Sequence, residues 1–79
     1  MDETEADRQA RLPPYVRLIN EISVQFPELS ADDAATAVAA HVRRFWDPRL
    51  RSSLSTHLTE GGADLRPIAR DAAILLQSA

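Results

Sequence analysis

The side chains able to do chemistry sit in the middle of the chain. His41 and His57 are the only histidines and there is no cysteine, so a zinc site would need carboxylates such as Asp47, Glu60 or Asp64 to complete it. No H-E-x-x-H or comparable spacing supplies such a set, and both histidines read as ordinary helix residues. Ser52, Ser53, Ser55 and Thr56 offer hydroxyls without a nucleophile elbow or a base to activate one. Gly61-Gly62 lacks the lysine and spacing of a phosphate-binding loop and reads as a helix stop. These residues predict no catalytic, cofactor-binding or metal-binding site.

Binding chemistry is better represented. The run His41-Val42-Arg43-Arg44-Phe45-Trp46-Asp47-Pro48-Arg49-Leu50-Arg51 holds the single tryptophan, one of two phenylalanines and four of the nine basic residues. Arginine and tryptophan anchor protein interfaces because each buries a large area while keeping directional contacts. Arg43, Arg44, Trp46, Asp47, Arg49 and Arg51 are therefore the predicted partner-binding residues. Phe45 is expected to plug the core, and Trp46 is open between core and contact. A phosphate-tracking role for the arginines is disfavoured, because the chain carries a net charge of -3 and no nucleic-acid-binding motif.

The elements that position this run follow from helical periodicity. Tyr15, Leu18, Ile19, Ile22 and Phe26 recur at three and four residues, predicting a helix from Pro14 that Pro27 ends. Asn20, Glu21, Ser23 and Gln25 fall on its other side. Ser30 followed by Asp32 and Asp33 marks a capped start, and Ala35, Val38, Val42 and Phe45 give the next helix a common face to about Phe45. Its alanines allow close approach by a neighbour. Asp47-Pro48 opens a third helix, with Leu50, Leu54, His57 and Leu58 on one face and Gly61-Gly62 closing it. Leu65, Ile68, Ala69, Ala72, Leu75 and Leu76 mark a fourth, weakly capped by Arg66 unless Asp64 does the capping. The fold class is all-α, a small irregular bundle of four short helices. Residues 1–12 read as a mobile acidic N-terminal tail and 13–79 as a single helical domain.

Composition bounds the rest. Seventy-nine residues with 44% apolar and 27% charged side chains make a modest core, burying roughly 60–65% of the unfolded surface, so a partner subunit would add stability. Asp2, Glu3, Glu5 and Asp7 account for four of the 12 acids, leaving eight against nine basic residues in the body. All nine are arginine, the residue whose planar fork suits interface ion pairs. The acidic start is unlike a secretory signal and no run approaches a membrane span, so the expected location is cytoplasmic, without membrane insertion.

The central run, followed by Leu54, His57, Gly61-Gly62, Leu65 and Pro67 and preceded by the helix Val16-Arg17-Leu18-Ile19-Asn20-Glu21-Ile22, resembles the delta subunit of bacterial NAD-dependent formate dehydrogenase. The likeness covers about Val16 to Leu76. It departs at Arg66, where the family favours a serine before proline, and in the acidic start. The resemblance implies a non-catalytic accessory subunit of a cytosolic molybdenum- or tungsten-containing enzyme that oxidises formate and reduces NAD. The pterin guanine dinucleotide metal centre, iron-sulfur clusters and flavin would then belong to the larger subunits, and this chain would hold none. It would bind the large catalytic subunit for assembly or stability; alternatively it would act as a chaperone for insertion of the molybdenum cofactor, its arginines gripping the dinucleotide phosphates. A homodimer in isolation is a third possibility.

Overall fold

The structure, a computed structural model, describes residues 4–78. Residues 1–3, which belong to the segment expected to be mobile, lie outside them. The described residues form five helices: α1 (Glu5–Ala10), α2 (Pro14–Ser23), α3 (Ala31–Phe45), α4 (Pro48–Thr59) and α5 (Pro67–Gln77). The all-helical expectation holds, and the count of four is corrected to five. The extra helix lies in the acidic segment, where the absence of an apolar stripe concealed it. Local chemistry makes α1 instead. The Thr4 hydroxyl accepts from the Asp7 N–H at 3.0 Å, and Glu5 and Asp7 sit at the positive helix end. No residue of α1 is buried.

The helix starts follow the sequence signals. Ser30 accepts from the Asp33 N–H at 3.1 Å, and Asp47 accepts from the Leu50 N–H at 2.8 Å. At α5 the expected weak cap is observed: Arg66 occupies the N-cap position without a side-chain capping hydrogen bond. The end of α2 differs from expectation, since the helix stops at Ser23 and leaves Phe26 in the connection, packed against the core. The Ser23 hydroxyl donates to the Asn20 carbonyl at 2.6 Å, diverting an acceptor that the helix would otherwise use to continue.

At the core, α3 packs most extensively on α5. Ala34, Ala35, Val38, Ala39 and Val42 of α3 are buried, as are Ala69, Ala72 and Ala73 of α5. Small side chains on both helices let the backbones approach, as expected from the alanine-rich stretch. Val16, Ile19 and Ile22 of α2 complete the core with Leu54 of α4 and Leu65. Asn20, assigned by periodicity to the outer side of α2, is instead 1% exposed, and Ser23 is buried beside it. Its amide nitrogen donates to the Asp64 carbonyl at 2.9 Å and to Gln9 Oε1 at 3.3 Å, while its oxygen accepts from the Arg66 N–H at 2.9 Å. One buried amide thus joins α1, α2 and the approach to α5.

Paired glycines close α4 as predicted. The Gly62 N–H reaches the His57 carbonyl at 2.9 Å and the Gly61 N–H that of Leu58 at 3.1 Å, the paired bonds of a Schellman turn. Gly61 and Gly62 have positive φ, 118° and 64°. Arg70 of α5 then donates to the Gly61 and Gly62 carbonyls at 3.2 and 2.9 Å, placing a cation at the negative end of α4. A Cβ on Gly62 would lie 3.0 Å from Arg70 Nη1. Gly62→Ala should therefore lose about 1–2 kcal/mol from the left-handed backbone alone, a fall of roughly 4–8 °C in melting temperature per kcal/mol. A thermal melt matching the parent protein would show that neither the backbone nor Arg70 matters here.

Candidate functional site: the corner between α3 and α4

The corner is built from its connector outward. Trp46 and Asp47 are both extended, with ψ of 141° and 162°; for Asp47 the cause is Pro48, since the residue before a proline avoids helical geometry. This two-residue link separates α3 from α4, and Pro48 begins α4 where a missing N–H has no consequence. The Trp46 N–H still reaches the Val42 carbonyl at 3.0 Å, so the indole leaves α3 in a defined direction. It is partly buried and packs against the core.

Phe45 does the opposite. Expected to fill the core, it is 66% exposed, and that expectation is corrected. The buried stripe of α3 advances in steps of four, Ala34, Val38 and Val42, and the next such step falls on Trp46 rather than Phe45. With the larger ring occupying the inward position, the smaller one is turned outward. Phe45 is not bare, however. The His41 ring stands one helical turn back with centroids 4.8 Å apart, and the Arg44 guanidinium carbon lies 5.4 Å from the Phe45 ring centroid, a cation–π contact.

The six residues predicted to bind a partner fall into distinct settings. Arg44 joins the Phe45 platform. Asp47 is exposed but its carboxylate is engaged as the α4 cap. Arg49 is exposed and has no hydrogen bond or ion pair among the described residues. Arg43 donates to the Leu75 carbonyl at 3.2 Å, in the last turn of α5. It also lines a groove of about 380 Å³ with Arg51, at the junction of α4 with the end of α5. Trp46 packs inward, as described. The structure thus brings Arg43 and Arg51 together on the groove, sets Arg44 beside Phe45, and leaves Arg49 apart from both.

Two residues of consequence escaped the sequence reading. Phe45 as an outward ring was signalled only by the four-residue step that ends on Trp46. Asn20 as a buried tie had no local signal, because its partners are 11 to 46 positions away. The histidines are accommodated structurally: His57 Nε2 is 2.7 Å from the Ala63 carbonyl, and its ring meets Tyr15 edge-on with centroids 5.5 Å apart. Among the described residues, no three His, Asp or Glu side chains are placed to hold a metal. None of the described helices is long and apolar enough to cross a membrane.

What the arrangement can do is grip a surface, through an aromatic face edged by guanidinium and imidazole and through an arginine-lined groove. No curated protein and no solved structure matches the chain. The model of one protein family, described as the NADH-dependent formate dehydrogenase delta subunit FdsD, matches residues 15–73 and so takes in α2, α3, α4 and most of α5. On that match, which includes both helices that build the corner, the chain belongs to the FdsD family of formate dehydrogenase delta subunits.

Proposed function

We propose that this chain is a non-catalytic accessory subunit that docks onto the large catalytic subunit of a cytoplasmic, molybdenum- or tungsten-containing, NAD-dependent formate dehydrogenase, and that it docks through the α3–α4 corner. The observation that carries the reading is Phe45. A large ring 66% exposed on the surface and held by His41 and Arg44 is a preformed anchor. An ordered aromatic with a guanidinium beside it loses little freedom on binding, and residues of these types dominate interface energies. The alternatives available to Phe45 inside its own chain are poor, since the inward position is taken by Trp46.

The test is co-purification. The tagged chain, expressed in a cell that makes the enzyme, should retain the catalytic subunit, and Phe45→Ala combined with Arg49→Ala should weaken that complex by about 2 kcal/mol or more, roughly 30-fold. Both positions are exposed, so the melting temperature of the isolated variant should stay close to that of the parent. Undiminished capture by the double variant would remove the corner from the docking surface. Trp46→Ala is the less informative substitution, because the indole packs on the core and its loss changes stability and binding together.

A further inference from the structure

The Phe45 platform leaves the arginine-lined groove between α4 and α5 unexplained. Its floor is apolar, formed by Leu54, Ala73 and Leu76, and its rim carries Arg43, Arg51 and Ser52. Among the described residues, no acidic side chain lines it. Arg43 has one bond, to the Leu75 carbonyl. Arg51 has none among the described residues, and its Nε is buried without a partner. A buried N–H donor left without an acceptor is costly, and native chains rarely tolerate one without a reason. Building on the docking reading above, we infer that this groove receives an acidic segment of the catalytic subunit, in which an apolar side chain enters over Leu54 and Leu76 while an adjacent carboxylate meets Arg43 and Arg51.

Charge complementarity identifies the occupant. Two guanidiniums above an apolar floor match a carboxylate next to a hydrophobic residue, since a guanidinium can take a carboxylate through two parallel hydrogen bonds. A phosphate-bearing ligand fits less well. The nearby start of α4 is not a phosphate cradle: Pro48 has no N–H, and the Leu50 N–H is already bound by the Asp47 carboxylate. No aromatic ring lines the groove for a nucleotide base to stack on. Its size of about 380 Å³ is at the lower end of ligand-binding pockets, suited to a few side chains.

The experiment measures the affinity of the full chain for a catalytic subunit purified without its own delta subunit. Ser52→Trp places a bulky side chain at the groove from an exposed position, and Arg51→Glu reverses the rim charge; Ser53→Trp, exposed but not lining the groove, is the control. Both groove variants should bind about tenfold more weakly or worse. The control should bind like the parent chain, and millimolar pyrophosphate should compete no better than chloride of equal ionic strength. Ser52→Trp binding as tightly as the parent, with a parental helical spectrum, would overturn the inference while leaving the corner reading intact. Specific competition by pyrophosphate would also overturn it, replacing the acidic segment by a phosphate ligand. Failure of the parent chain itself to bind the catalytic subunit would remove the docking reading, and this inference with it.

Discussion

Asn20→Leu should destabilise the protein by about 2–4 kcal/mol, because it strips partners from two backbone groups that lie on or beside the core. The amide is 1% exposed and makes three hydrogen bonds, two of them at 2.9 Å to the backbone of residues 64 and 66. These two contacts fix which way the amide faces, since an N–H must meet its oxygen and a carbonyl its nitrogen. They also hold Asp64 at a φ of 66°, a conformation that a non-glycine side chain resists. Leucine has a similar bulk, so the loss reads mainly as polar groups left without partners rather than as a cavity. A domain of this length has on the order of 4–12 kcal/mol to lose, so the variant should unfold at a clearly lower urea concentration. Gln9→Ala, which removes the 3.3 Å bond to Asn20 and an exposed bond to Glu5 within α1, should shift the midpoint far less. If Asn20→Leu lost less than about 1 kcal/mol, the amide would not be the tie between α2 and the approach to α5.

The second large effect is expected at Leu54. It is 1% exposed and is the one buried residue of α4, with Leu58 only partly buried against the same core, so the attachment of that helix depends heavily on this side chain. Leu54→Ala should lose about 2–5 kcal/mol, the spread reflecting how far neighbouring residues can close the space. The consequence reaches function, because α4 presents Arg49 and Arg51 and forms one wall of the arginine-lined groove. Amide exchange should therefore rise first along α4, ahead of α3, whose five buried residues tie it to the core. Equal acceleration in α3 and α4 would mean that the molecule opens as one unit, and that α4 has no separate stability to lose.

These two residues illustrate why a small bundle is only partly legible in its sequence. Leu54 was visible at once, since Leu50, Leu54, His57 and Leu58 repeat at helical spacing, and the burial of Leu54 follows that pattern. Asn20 was assigned to the outside of α2, because a polar residue next to an apolar stripe normally faces water. It could be placed inside only once α5 had been docked, bringing Asp64 and Arg66 to it. In the candidate site the division is similar. The arginine and aromatic content of the corner is a property of composition, and the break that creates it is a property of Asp47-Pro48. Which ring faces out is not local, because Phe45 and Trp46 lie three and four residues beyond Val42, and either can continue a helical stripe.

By itself, then, the sequence determined what short-range chemistry can encode. The caps at Ser30 and Asp47, the glycine stop at 61–62, the alanine-rich contact face of α3 and the concentration of arginine at the central bend are all set by residues within a helical turn or two of each other. The tertiary structure decided how those pieces satisfy one another at a distance: the docking of α1 through Glu5 and Arg66 at 2.7 Å, the burial of Asn20, the outward turn of Phe45 and the pairing of Arg43 with Arg51 on one groove. The physical reason is that hydrogen-bond partners and core volume are shared across the whole chain. A side chain is enclosed or exposed according to what remote segments bring to it, and periodicity reports only the face of its own helix.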